Sequence, residues 1–172
     1  MNDFVKYLLW AVCLVLLQEF LFNNIQFVHF LSPYIYIFLI LILPFNMHTS
    51  LIMLVAFVLG LSVDIISAGV LGSHAAACTL MAYCRNIITK VTMPRGDYEN
   101  TSTATALHIN LRQFILYAFL LVFLHHFILF FVEIFTLKNF IFTLIQIIAS
   151  SAISTVFIIL FKLLFGYKKD VQ

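Results

Sequence analysis

Long apolar runs separated by short polar breaks set the layout of this chain. Residues 4–22, 25–43, 50–67, 70–88, 113–134 and 140–164 are each dominated by Leu, Ile, Val and Phe. A helix that crosses a bilayer needs roughly 17–25 such residues, so the pattern predicts an all-α, polytopic membrane bundle of about six transmembrane helices. Strict alternation is absent and proline is rare within the runs, which favours helices over a closed barrel. The breaks are brief: Asn23, Asn24 and Gln26, then Pro44, Asn46 and His48, then only Ala68-Gly69. In the second run, Ser32-Pro33 has the character of a helix-initiating pair. A helix starting at Pro33 would reach only about 17 Å, so a thinned bilayer or a partial span is expected there.

The longest polar stretch, residues 89–110, reads as a loop, with a surface helix expected over residues 104–112. Residues 89–112 then form a basic cytoplasmic loop within a single transmembrane domain covering residues 1–172. Lys and Arg set the orientation. Lys6 lies near the start, Arg85, Lys90, Arg95 and Arg112 in or beside the polar loop, and Lys162, Lys168 and Lys169 near the end. An even number of spans puts all three basic regions on one side, so both termini are predicted to be cytoplasmic. Lys6 ahead of an apolar run also has the layout of a signal peptide. No small-residue cleavage site follows, however, and the run is expected to remain as the first span.

Composition agrees with lipid rather than water as the surrounding medium. Hydrophobic residues make up 64% and charged residues 9% of the 172 residues, with a mean hydropathy of +1.12. A soluble domain carries about 25% charged residues. The net charge of +2 is too small to imply a nucleic-acid partner. Cys13, Cys78 and Cys84 lie in or beside apolar runs without a CxxC spacing, so they read as small hydrophobes rather than a redox or zinc site. No nucleophile elbow, phosphate-binding loop or HExxH motif is present. No cofactor is expected, and the chain reads as non-enzymatic.

Polar residues inside the apolar runs are therefore the candidate functional positions. Asp64 lies toward the outer end of the third run, where a carboxylate must face protein, water or a hydrogen-bonding partner. Gly60 lies one turn before it on the same helix face. Asp64 is read as a cap on backbone N–H groups at the start of the fourth helix, locking a helix pair. Partner or lipid contact and proton or ion coupling are the alternatives. Gly69, Gly72, His74 and the alanines after it let helices approach closely. Arg85 lies near the inner end of the fourth run, placed to snorkel to phosphates. Lys90, Arg95 and Arg112 are candidates for contact with cytoplasmic lipid or a partner. Glu19 and Glu133 read as boundary residues. His125 and His126 read as satisfied core histidines, because adjacent helix positions point in different directions and suit a shared metal poorly.

The stretch Phe57-Val58-Leu59-Gly60-Leu61-Ser62-Val63-Asp64, followed by Gly69-Val70-Leu71-Gly72-Ser73-His74, resembles the rod shape-determining MreD family. That family carries a Gly-x-x-x-Asp segment and then a Leu-Gly pair that opens the next span. Val70 stands where many members have proline. The resemblance implies a non-catalytic component of the bacterial inner membrane, supporting lateral peptidoglycan synthesis and rod shape. It implies an MreC-like partner, with a RodA-type glycosyltransferase, a class B penicillin-binding transpeptidase, MreB filaments and membrane lipids as further contacts. By the same resemblance the fold is similar to the substrate-binding subunits of ECF-type vitamin transporters. Family placement carries Gly60, Asp64, Leu71 and Gly72, and Gly69 and His74 join them on the residue reading alone. The rival functions are a substrate-binding subunit of an energy-coupling vitamin transporter and a membrane enzyme acting on lipid-linked substrates.

Overall fold

The computed structural model describes residues 3–23, 31–67, 69–93, 105–134 and 140–166. They form an all-α, multi-pass membrane helix bundle. Helix α1 spans Asp3–Leu17 and continues as one π-helical turn, Gln18–Phe22. A short helix α2 follows at Phe38–Ile42, then α3 at Thr49–Ser67, α4 at Ser73–Thr92, α5 at Leu111–Ile134 and α6 at Phe140–Gly166. Four of these segments are long and apolar enough to cross a membrane: Val5–Phe22, Thr49–Ser67, Leu111–Val132 and Phe140–Gly166. Their outward faces are apolar, with Leu54, Ile65, Ile141 and Leu164 all more than half exposed. Such a surface suits lipid and would be a liability in water. Helix α4 is the most polar of the long helices and packs between α3 and α5.

The second apolar run departs from the expected helix. Residues 31–35 are non-helical, and regular helix begins only at Phe38. Side chains from two neighbouring helices explain why. Gln18 accepts from the Ile35 N–H at 2.8 Å and donates to the Pro33 carbonyl at 3.1 Å. On the other side, Ser32 N–H donates to Ser150 at 3.2 Å and Tyr34 N–H to Ser154 at 3.0 Å. The backbone therefore faces α6 at residues 32 and 34 and α1 at residues 33 and 35, the two-residue alternation of a strand. Irregular backbone survives at membrane depth only where protein supplies its hydrogen bonds, and here it does. Ser150 and Ser154 are one turn apart on α6, and the π turn of α1 brings Gln18 inward. That turn is closed by Asn23 N–H on the Gln18 carbonyl at 2.9 Å.

The threaded segment runs from one end of the bundle toward the other. Its start meets Gln18 and Ser154, and Phe38 packs on Trp10 and Phe161. Its end, Leu41–Pro44, meets Arg85 and Tyr117. Residues 35–43 are at most 2% exposed, so this segment, rather than a lipid-facing helix, is the axis of the core.

Two other boundaries differ from the sequence reading. Helix α4 starts at Ser73 instead of residue 70, because Gly72 takes a left-handed φ of 94° and ends the turn. It also continues through Thr92, so residues 89–92 of the expected loop are helical. Residues 105–110 are turns rather than a surface helix, and α5 begins at Leu111.

Candidate functional site

The turn between α3 and α4 is organised by Asp64. Its Oδ2 accepts the N–H of Gly72 at 3.0 Å and of Ala75 at 3.1 Å, and its Oδ1 accepts the N–H of His74 at 3.0 Å. The Ser73 hydroxyl donates to Oδ1 at 3.4 Å. The first N–H groups of a helix have no partner within the helix, and here a carboxylate from the preceding helix supplies one, on the positive end of the α4 dipole. A carboxylate offers about four lone-pair sites. These four donors occupy them. Gly60 makes this geometry possible. A Cβ at that position would stand 2.5 Å from the His74 carbonyl oxygen and 2.6 Å from the Ala75 Cα. The two helix backbones touch there.

Holding the first turn of α4 in place fixes His74, and His74 leads into a buried cluster. The Tyr36 hydroxyl lies 2.8 Å from His74 Nδ1 and 2.8 Å from His125 Nε2, with the Cys78 thiol donating to it at 3.7 Å. One phenol proton cannot serve both imidazoles. His125 Nδ1 is buried with no hydrogen-bond partner among the described residues, and a buried N–H without a partner is rarer than a bare acceptor. The proton of His125 is therefore assigned to Nε2, donating to Tyr36, and Tyr36 donates to His74 Nδ1. A second chain runs beside it. His126 Nδ1 lies 2.8 Å from the Val122 carbonyl, and its Nε2 lies 3.3 Å from both the Ser32 carbonyl and the Ser154 hydroxyl, which accepts from Tyr34 N–H. The ring of Tyr34 packs within 5.8 Å of all three histidine rings. The two chains tie α4, α5 and α6 to the threaded segment. Chemically, the first is an imidazole–phenol–imidazole relay held in a buried core.

At the other end of the segment, Arg85 points inward. It is fully buried, so the expectation that it snorkels to lipid phosphates is corrected. Its Nε donates to the Tyr117 hydroxyl at 2.8 Å, Nη2 donates to the Leu43 carbonyl, and Nη1 reaches the Pro44 carbonyl at 3.4 Å. Tyr117 in turn donates to the Leu41 carbonyl at 3.1 Å, and the guanidinium stacks 5.0 Å from the Phe45 ring centroid. These carbonyls end α2, whose last turn has no helical N–H to offer them. A cation is favoured at that end of the helix dipole, and the rigid fork of Arg matches several carbonyls at once.

The other predicted positions fall into two groups. Gly60, Asp64 and His74 are buried, whereas Gly69, Val70 and Leu71 are exposed, Leu71 at 70%. Gly72 lies between them and needs its glycine for the left-handed φ. Lys90 and Arg112 are exposed, and Arg95 lies outside the described residues. Glu19 accepts from the Asn23 amide at 2.8 Å. Sequence reasoning did not single out Gln18, Tyr36, Ser154 or Tyr117. A lone Gln and a Ser pair four apart in apolar runs were visible signals, but their partner, the unwound backbone at residues 32–35, was not.

Tyr36→Phe tests the relay by removing a single oxygen. It strands one nitrogen on each of His74 and His125, at about 1–3 kcal/mol for each buried group left unsatisfied. The expected result is a lower unfolding midpoint, read from the emission of Trp10, which packs on Phe38 and Phe165. An unchanged midpoint would remove Tyr36 from the framework.

Comparison with known protein families, with characterised proteins and with solved structures finds no match to this chain.

Proposed function

We propose that this protein is a non-catalytic component of the bacterial cell-elongation machinery in the inner membrane, acting by partner recognition within the bilayer. The observation that carries the reading is the Gly60–Gly72 segment. The residues that resemble the MreD family divide there into a rigid scaffold (Gly60, Asp64, Gly72) and an exposed apolar tip, Val70-Leu71. A fully hydrogen-bonded carboxylate and a close helix contact suit a segment whose task is to present a fixed surface. Association within lipid draws on packing and small residues rather than on a water-driven force, so the shape of such a tip matters.

In this reading the chain crosses the membrane six times with both termini cytoplasmic. The threaded segment supplies the second crossing. As a continuous helix from Pro33 it would be too short. Strand-like backbone rises about 3.3 Å per residue against 1.5 Å in a helix, so residues 31–43 reach roughly 25–30 Å, close to the hydrocarbon thickness. The partners are an MreC-like protein and, through it, a RodA-type glycosyltransferase, a class B penicillin-binding transpeptidase and MreB filaments.

Gentle isolation from native membranes, with mass spectrometry of proteins and small molecules, tests this. The expected result is recovery of an MreC-like protein with cell-wall synthases. Leu71→Asp, at an exposed position, is expected to cut that recovery several-fold while leaving the Trp10 emission unchanged. Recovery of transporter ATPases with a stoichiometric vitamin would replace the proposal with the transport reading.

A further inference from the structure

At the end of the bundle opposite Asp64, a cleft of about 130 Å³ is lined by Leu107, Leu111, Lys162, Leu163 and Gly166. Lys162 is the one charged residue of this lining among the described residues, and it is only 6% exposed. Burying an ammonium is costly unless something answers its charge. Among the described residues its partners are neutral: Nζ donates to the Ile109 carbonyl at 2.6 Å and lies 4.3 Å from the Phe114 ring centroid. An ammonium has three N–H donors, so two remain after Ile109. The cleft walls reach the surface, Leu111 at 43% and Leu163 at 54% exposure. Arg112, next to Leu111 in the chain, is exposed.

The size of the cleft limits its occupant. Pockets that enclose a whole small molecule measure roughly 300–1,000 Å³, so this one takes a group rather than a molecule. A phosphate fits the chemistry, because it answers the charge of Lys162 and accepts its spare donors. Apolar walls that open onto the lipid-facing surface fit the acyl chains of the molecule that carries it. Gly166 keeps the cleft open. A Cβ there would meet the Leu107 carbonyl oxygen at 3.4 Å and the Lys162 Cγ at 3.6 Å, and anything longer would fill the space. Basic pockets between helices near a membrane face are a recurrent way to hold anionic headgroups.

We infer that Lys162 and the cleft beside Gly166 form a binding site for the phosphate headgroup of an anionic phospholipid, whose chains lie along Leu111 and Leu163. The site does not depend on the elongation reading, since it requires only a bilayer with anionic lipid.

Native mass spectrometry of the full chain, titrated with phosphatidylglycerol or phosphatidylcholine, tests the assignment. The expected result is several-fold higher occupancy by phosphatidylglycerol. Lys162→Gln should abolish that preference and Lys162→Arg should keep it. Gly166→Leu, which fills the cleft without touching the charge, should abolish it too, so the test stands even if Lys162→Gln fails to fold. Lys90→Gln, at an exposed lysine, should leave it intact. Equal occupancy by the two lipids would overturn the proposal, as would a preference that survives both Lys162→Gln and Gly166→Leu. Displacement of phosphatidylglycerol by millimolar inorganic phosphate would overturn it in favour of a free-anion site.

Discussion

Arg85→Ala is expected to destabilise the bundle by at least about 3 kcal/mol. The Leu43 carbonyl loses its donor, at about 1–3 kcal/mol when left buried and unsatisfied, the Pro44 carbonyl keeps only the Met47 N–H at 3.4 Å, and the Tyr117 hydroxyl loses its Arg85 contact. The space vacated by a fully buried side chain adds a cavity cost. One term opposes these: a buried guanidinium among neutral partners carries a desolvation penalty of several kcal/mol, which the variant removes. The carbonyls decide the sign, because the dipole of α2 and its unpaired C-terminal groups remain whatever replaces the cation. Arg85→Met separates the contributions, since it restores volume but no donors and is expected to recover only the cavity part. Arg85→Lys, a single ammonium in place of a planar fork, is expected to fall well short of wild type. Thermal unfolding in detergent, followed by helical circular dichroism and by Trp10 emission, measures all three. An Arg85→Met variant as stable as wild type would show that the carbonyls do not need the guanidinium.

Gly60 is the second position where a small change should have a large effect. Even Gly60→Ala puts a methyl carbon 2.5 Å from a backbone oxygen of α4, and backbone cannot rotate out of the way. Overpacking of this kind costs about 1–3 kcal/mol, and Gly60→Val should exceed that range. The loss should also be coupled to Asp64. Spreading α3 from α4 at Gly60 lengthens the bonds that Asp64, one turn further along α3, makes to Gly72, His74 and Ala75. Asp64→Ala by itself removes a charged cap from three backbone N–H groups and should cost at least as much as a strong exposed cap, about 2 kcal/mol. A double-mutant cycle between Gly60→Ala and Asp64→Ala should then give a coupling energy of about 0.5–3 kcal/mol, as residues sharing one contact do. Strict additivity would mean that the close approach and the cap are independent features.

Several elements were legible in the sequence. Expected runs at 4–22, 50–67, 113–134 and 140–164 correspond within two residues to α1 with its π turn, α3, α5 and α6. The break at residues 68–72 and the placement of Asp64 beside it were equally readable, because both follow from neighbours in the chain. The run at 25–43 has the same apolar composition as the others, yet its described part is mostly unwound. Nothing in residues 31–37 themselves rejects a helix apart from Pro33. The choice rests on Gln18, Ser150 and Ser154, which are distant in sequence. Arg85 shows the same limit, since a basic residue near a helix end satisfies the rule for snorkelling until a bundle of unpaired carbonyls lies closer than the membrane surface.

By itself the sequence determined that this protein lives in a bilayer, which segments are long enough to cross it, and that Asp64 lies at a turn between two helices in close contact. These are local quantities: the length of an apolar run is matched to lipid thickness without reference to any other part of the chain. Only the tertiary structure decided that the core axis is an unwound segment, that Arg85 faces inward, and that Tyr36 joins His74 to His125. Those outcomes depend on which buried polar groups find each other. In a medium without water every such group must be answered by the protein, and the partners come from segments that the order of the chain does not place side by side.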